Sequence, residues 1–366
     1  MSEQQAGRLP DGRPEGAPDG VPGDVPWRRP DRAPWRDLWA ALPAMAPASA
    51  RPSPGPGAVR PSARRVAPSP LAPGAARDPY RAYRVLREEF PLTHDPLLRA
   101  WVLSRYADVA GALTDPRFTH GHRPGDPPCA QTHTDIDEAE LRAVAERTAF
   151  VLAHRLVGRP LVDLVADFCR WLPAGTVAAA VGVPYRDMMR LVRGRAASAL
   201  AGQCTGQIAV REKALAGFLA DVLSDPEQAA ALRDAPSELV ARAWAESLRR
   251  EPPVQIVLRR TRGEIPVSGG VLPSGVPVAL LLGAAGRDPE RFREPDRFDP
   301  GRDDPAQLTY GGGPCPAVTL AALEAEYALR ALFAAMPRLR LADGFRPRRT
   351  GVVTRAPRSL VVRPGG

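Results

Sequence analysis

Hydrophobic residues recur at the spacing of an α-helix through most of the chain beyond residue 78. Apolar side chains three and four positions apart line one face of a helix, and that face packs on the rest of the fold. The pattern predicts one helix in each of the segments 78–91, 136–157, 161–184 and 237–250. It predicts a strand followed by a helix in 101–118, and two helices around Gly202 in 187–222.

Two later regions have the short apolar runs of β-strands. Residues 257–292 carry such runs between the turn signals Gly269-Gly270 and Pro273-Ser274-Gly275, and residues 339–364 form a second region of this kind. The proline pair at 252–253 ends the preceding helix, because proline cannot continue it. Together these patterns predict a fold that is mainly α with small β-sheets.

Residues 1–77 have a different texture, dense in Pro, Gly, Ala and Arg. Such a composition buries too little apolar surface to offset the entropy of ordering, so we expect a disordered extension and a folded domain over residues 78–366. The exception is 35–45, where a short helix is predicted with one apolar face. That face can dock on a partner or pack on its own domain, and its residues are Trp35, Leu38, Trp39 and Leu42.

Composition excludes several classes of protein. The net charge of +9 comes from arginines scattered among 41 acidic residues, with Lys213 the only lysine, so no basic cluster indicates a nucleic-acid partner. The chain has no apolar run of about 18 residues and no signal-peptide pattern at its N-terminus, so we expect no membrane association and a cytoplasmic location.

The four cysteines, at 129, 169, 204 and 315, form no CxxC pair and have no metal-ligand spacing, which also fits a reducing compartment. Cys315 stands apart because it follows Gly311-Gly312-Gly313-Pro314 and precedes a predicted amphipathic helix. Glycines let the backbone approach a flat ligand closely, and a helix N-terminus points N–H groups at the thiolate. Cys315 is therefore a candidate ligand for a haem iron.

Six short motifs follow one another in a fixed order: DPRF at 115–118, DLVADF at 163–168, GVP at 182–184, ExxR at Glu246 to Arg249, PPVQ at 252–255 and GRDPERFREPDRFDPGR at 286–302. In this order they resemble the bacterial branch of the haem-thiolate monooxygenases, the cytochromes P450, over residues 78–366. The resemblance implies that Glu246, Arg249 and Arg297 form a structural network of ion pairs and hydrogen bonds behind the haem.

The resemblance also implies that this chain is shorter than the family between the GVP and ExxR motifs. Only 61 residues, 185–245, separate GVP from ExxR, where the family has several helices, including a long distal helix that crosses the haem. A helix about 45 Å long needs about 30 residues. With the lid helices assigned to 187–222, we expect a truncated fold that lacks the distal helix. The alternative is that AGQCT at 201–205 is the AGxxT motif of that helix, with Thr205 as the threonine.

Other departures concern the haem contacts. His133 is followed four residues later by Asp137, where the family has an arginine for a haem propionate, and a carboxylate repels a propionate. The loop runs directly from GGGP to Cys315, without the two residues that usually lie between, and Ala317 replaces a glycine. Gln307 replaces a basic residue. Arg260 is the propionate partner that remains.

Two functions follow from the resemblance. In the first, the protein is a haem-free relative with no cofactor and no catalytic residue of its own, like the auxiliary proteins that activate deoxysugar glycosyltransferases in antibiotic biosynthesis. Its partner is then a glycosyltransferase. In the second, it is a monooxygenase of secondary metabolism that holds haem b through Cys315 and Arg260 and receives electrons from a ferredoxin.

Overall fold

The structure, a computed structural model, describes residues 66–120, 138–180, 199–309 and 316–365. The predicted Trp35 to Met45 helix and Cys315 lie outside these ranges. One compact unit runs from Arg65 to Gly366. Its helices are α1 (Tyr80–Glu89), α2 (Tyr106–Thr114), α3 (Glu138–His154), α4 (Trp171–Ala180), α5 (Ala199–Leu223), α6 (Pro226–Arg233), α7 (Ser237–Arg250), α8 (Leu282–Ala285) and α9 (Pro316–Ala335), with a π-helical turn at Val165–Cys169.

The strands are short and belong to four small sheets. In chain order they are β1 (Leu92–Asp95), β2 (Ala100–Leu103), β3 (Phe118–His120), β4 (Val162–Asp163), β5 (Ile256–Thr261), β6 (Ile265–Val267), β7 (Gly270–Leu272), β8 (Pro277–Leu281), β9 (Arg340–Leu341), β10 (Arg349–Thr350), β11 (Ala356–Pro357) and β12 (Val361–Arg363). The prediction of a mainly α fold with small sheets is confirmed.

Helices α3, α4, α5 and α9 pack on one another as a bundle. Small side chains let them approach closely: Ala145 of α3 and Ala174 of α4 are both at most 2% exposed, and both lie in one buried cluster with Ile208 of α5 and Leu323 of α9. The bundle therefore joins elements that are distant in sequence around one apolar core.

The largest sheet has the strand order β1-β2-β8-β5-β3. Its neighbours are antiparallel except β2 and β8, which run parallel with Trp101 opposite Val278. Its apolar side chains form a second buried cluster that includes Val109 of α2 and Leu282 of α8. This sheet carries β5, the strand that holds Arg260.

Helix α5 corrects the sequence analysis. We predicted two helices around Gly202 within residues 187–222, whereas a single helix of 25 residues runs from Ala199 to Leu223. It ends just before Asp225, whose carboxylate accepts from the backbone N–H of Glu227 at 3.0 Å and so begins α6. The prediction of two helices in this stretch is therefore wrong.

The segment just ahead of the predicted domain boundary at Asp78 is tied to the C-terminal region. The N–H of Gly351 donates to the carbonyl of Ala76 at 3.0 Å. The guanidinium of Arg355 donates to the same carbonyl at 2.9 Å and to that of Arg77 at 2.7 Å. These contacts belong to the compact unit that begins at Arg65.

Candidate functional site

A fully buried ion pair lies at the centre of the motif-bearing region. Glu246 and Arg249 are three residues apart on α7, so their side chains share one face of the helix. The Nε of Arg249 is 2.7 Å from Oε2 of Glu246, and its Nη2 donates to Oε1 at 2.8 Å. Both side chains are 0% exposed. The geometry is the bidentate one that makes arginine–carboxylate pairs strong.

The same carboxylate binds the segment that follows α8. Arg302 donates from Nε to Oε2 of Glu246 at 3.0 Å, and the backbone N–H of Asp299 donates to Oε1 at 3.1 Å. Arg249 in turn donates from Nη1 to the carbonyl of Pro295 at 2.9 Å. Burial lowers the pKa of Arg249, and the neighbouring Glu246 opposes that effect. The network thus locks residues 295–302 onto α7.

The predicted third member of this network is wrong. The Arg297 side chain is 65% exposed, and its Nη1 is 3.7 Å from Oε2 of Glu294. Only the backbone of Arg297 takes part, because its carbonyl accepts from Nη2 of Arg249 at 3.2 Å. The guanidinium that reaches Glu246 is that of Arg302, five residues later, which the sequence analysis missed. The available signal was the second arginine of the same stretch, RFDPGR.

A second buried ion pair joins α5 to α9. The Nε of Arg211 is 3.0 Å from Oε2 of Glu324, and the two side chains are 1% and 2% exposed. The hydroxyl of Thr176 on α4 donates to Oε1 of the same carboxylate. Burial raises the pKa of Glu324, and the Arg211 guanidinium opposes this only in part. Arg211, in the charged stretch of α5, is therefore buried and paired.

The position of α5 bears on the AGQCT motif. Ile208, one turn after Thr205, packs with Leu320 and Leu323 of α9. The helix α9 begins directly after Cys315. The motif at 201–205 thus lies on a continuous helix beside the element that follows the candidate iron ligand, as in the alternative reading of the sequence. Cys315 itself, with His133, Asp137 and the glycines ahead of Cys315, falls outside the described residues.

Two of the candidate propionate contacts, Arg260 and Gln307, lie within the described residues. Arg260 lies on β5 opposite Thr119, and its Nη1 donates to the carbonyl of Gly275 at 2.5 Å. Gln307 is neutral, and its Oε1 accepts from the N–H of Thr309 at 2.8 Å, which closes a local turn. We therefore derive no reaction step through haem.

Arg259, beside Arg260 on the same strand, was missed in the sequence analysis. Burial lowers its pKa, and its Nη1 donates to the carbonyl of the neighbouring Leu258 at 3.0 Å. Among the described residues no carboxylate forms an ion pair with it, and a partly buried guanidinium of this kind suits an anionic group of a ligand. The alternation of side chains along β5 did not distinguish Arg259, because Arg259 and Arg260 stand side by side in the sequence.

Cys169 is the cysteine whose side chain the structure describes. The Cys169 thiol is fully buried, and burial raises its pKa. In the described part of the chain, no three His, Cys, Asp or Glu side chains come together as a metal site. Within the same ranges, none of the helices is long and apolar enough to cross a membrane.

Comparison with known proteins identifies the family. The family model described as Cytochrome P450 matches residues 238–314. Protein DesVIII of Streptomyces venezuelae is 32% identical over 79% of this chain and 86% of its own. Cytochrome P450 family protein EryCII of Saccharopolyspora erythraea is 31% identical over 78% of this chain and 87% of its own. The chain therefore belongs to the cytochrome P450 family.

A solved structure gives the same fold. The crystal structure of epothilone D-bound cytochrome P450epoK superimposes with a TM-score of 0.70 at 24% identity, over 81% of this chain and 99% of that one. The P450-like fold expected from the ordered motifs is thus confirmed.

Proposed function

We propose that the protein is a haem-free member of the cytochrome P450 family that acts as an auxiliary, activating partner of a deoxysugar glycosyltransferase in antibiotic biosynthesis. In this role it has no catalytic residue and no cofactor. It binds the active conformation of the transferase in preference to others, and the binding free energy shifts the transferase toward that conformation.

The observation that carries the proposal is the length of two connections. Residues 181–198 join α4 to α5, and residues 121–137 join β3 to α3. These are the places of the lid helices and of the helix that grips a propionate in the family the sequence resembles. Two antiparallel lid helices of about 15 residues each, with their turn, need more than about 30 residues to cover a site about 22 Å across.

Short connections matter because a monooxygenase has to enclose its reaction. Lids exclude water and strengthen the electrostatic interactions inside a site. Residues 181–198 number 18, fewer than two such helices need, while the bundle of α3, α4, α5 and α9 and the Glu246 network are present. A complete scaffold with so short a segment at the place of the lid supports a binding role over an oxidative one.

The relatives and the local contacts support the same proposal. Protein DesVIII and cytochrome P450 family protein EryCII are each more than 30% identical to this chain over more than three quarters of its length. Arg260 and Gln307 make backbone hydrogen bonds. The contact surface remains a prediction from the sequence: the helix face formed by Trp35, Leu38, Trp39 and Leu42.

The test is co-expression of the full chain with deoxysugar glycosyltransferases of polyketide pathways, followed by affinity purification and a sugar-transfer assay. We expect one transferase to co-purify and to gain at least about tenfold activity. Trp35→Ala with Trp39→Ala should weaken the complex by about tenfold or more, because aromatic anchors dominate interfaces. Trp27→Ala, in the same extension but outside the predicted helix, is the matched control and should leave it unchanged.

Different results would contradict the two parts of the proposal, the auxiliary role and the docking helix. If no transferase co-purifies or gains activity, the auxiliary role is wrong. If the double tryptophan variant binds as well as the Trp27→Ala control, the auxiliary role stands and the docking helix is wrong.

The second candidate is a haem-thiolate monooxygenase of secondary metabolism. The observation that favours it is the continuous helix α5, with the AGQCT motif in its first turns, together with the desolvated cation of Arg259. Cys315 would then be the iron ligand, haem b would supply the oxidation chemistry, and a ferredoxin would be the electron donor.

A further inference from the structure

An arginine-lined cavity of about 500 Å³ lies away from Cys315 in sequence and apart from the Glu246 network. Its lining comes from the residue ahead of α1, the end of α7, the β10 region and the strand entry at 355. The arginines are Arg77, Arg348, Arg349 and Arg355, and the one carboxylate among the lining residues is Glu251.

The floor of the cavity is preorganised by the fold. Arg349 donates from Nη2 to the carbonyl of Gly217 at 3.0 Å and pairs with Asp221. Arg355 is held by two backbone carbonyls, and its Nε is 3.5 Å from Oε2 of Glu251. The Nε atoms of both arginines are buried without a hydrogen-bond acceptor in the described structure. Buried donors of this kind are costly unless something accepts from them.

The rim adds charge that the fold does not neutralise. Arg77 and Arg348 are exposed, and neither guanidinium forms an ion pair with a described residue. Glu251 is already engaged, since its Oε1 is 2.6 Å from Nη2 of Arg287. Arg349 pairs with Asp221 and Arg355 with Glu251, so the excess positive charge of the cavity is that of Arg77 and Arg348.

We propose that this cavity binds the phosphate or diphosphate group of a small molecule. Guanidinium forks match phosphate oxygens with two parallel N–H donors, and several forks around one cavity suit a multiply charged anion better than a single carboxylate. The volume is that of a small-ligand site. Besides the charged residues, the lining holds Pro347 and Thr350, so recognition is of charged oxygens and not of a stacked base. The site does not depend on the proposed partner role.

The test is calorimetric titration of the full chain with pyrophosphate, at constant ionic strength set with sodium chloride. We expect saturable binding of one pyrophosphate per chain. Arg77→Gln with Arg348→Gln should weaken it by about tenfold or more, because charge-assisted hydrogen bonds to the anion are lost. Both side chains are exposed, so this variant should fold, which circular dichroism checks.

The matched control is Arg262→Gln with Arg293→Gln, which removes the same charge from two exposed positions outside the cavity lining. It should bind pyrophosphate within about twofold of the unchanged chain. The proposal is overturned if the unchanged chain shows no saturable binding, or if the two double variants lose affinity equally. Displacement of pyrophosphate by a short DNA duplex would also overturn it, by assigning the surface to a nucleic-acid backbone.

Discussion

Glu246 illustrates how one buried carboxylate organises its surroundings at the scale of the residue. It accepts from Arg249, from Arg302 and from the backbone of Asp299. The pairing with Arg249 was predictable, because a spacing of three on a helix puts both side chains on one face. The choice of Arg302 over Arg297 was not, because it depends on how the irregular segment 286–302 folds back over α7.

This difference predicts unequal effects of two similar substitutions. Arg302→Gln should lower the free energy of unfolding by about 1–3 kcal/mol, since a hydrogen bond to a buried charge is lost. Arg297→Gln is the matched control and should change it by less than about 0.5 kcal/mol, because its ion pair with Glu294 is exposed. Urea unfolding followed by circular dichroism measures both, and a larger loss for Arg297→Gln would contradict the assignment.

Helix α5 shows what decides structure at the scale of the element. Periodicity located the neighbouring helices α1, α3 and α7, whose apolar faces are regular. It failed for α5, because Gly202 resembled a break between two helices. The partner that makes Arg211 acceptable in the interior, Glu324, is 113 residues away, so no local pattern reveals it.

The Arg211–Glu324 pair gives the corresponding prediction. Either Arg211→Met or Glu324→Met alone should lower the free energy of unfolding by about 3–5 kcal/mol, since each leaves a buried charge without its partner. The double variant should recover most of that loss, because two apolar side chains of similar volume replace both charges. Chemical denaturation of all three variants measures this coupling.

Arg142→Met, which removes one member of the exposed pair with Glu138 on α3, is the control and should cost less than about 1 kcal/mol. If the double variant is as unstable as the sum of the two single variants, Arg211 and Glu324 do not interact across α5 and α9 as described.

At the scale of the whole molecule, the fold was predictable and the function only in part. The ordered motifs from DPRF to RFDPGR predicted the family, because they mark contacts between distant elements of one architecture. The sequence analysis assigned the lid helices to 187–222, whereas residues 199–223 form the single helix α5.

The proposed function requires that this scaffold no longer holds haem. The most direct measurement is the absorbance spectrum of the full chain, purified from cells supplied with a haem precursor, before and after reduction under carbon monoxide. We predict a protein spectrum without a Soret band, and the same spectrum for Cys315→Ala. A Soret band nearly stoichiometric with protein, shifted by reduction and carbon monoxide and lost in Cys315→Ala, would contradict the claim and establish the monooxygenase reading.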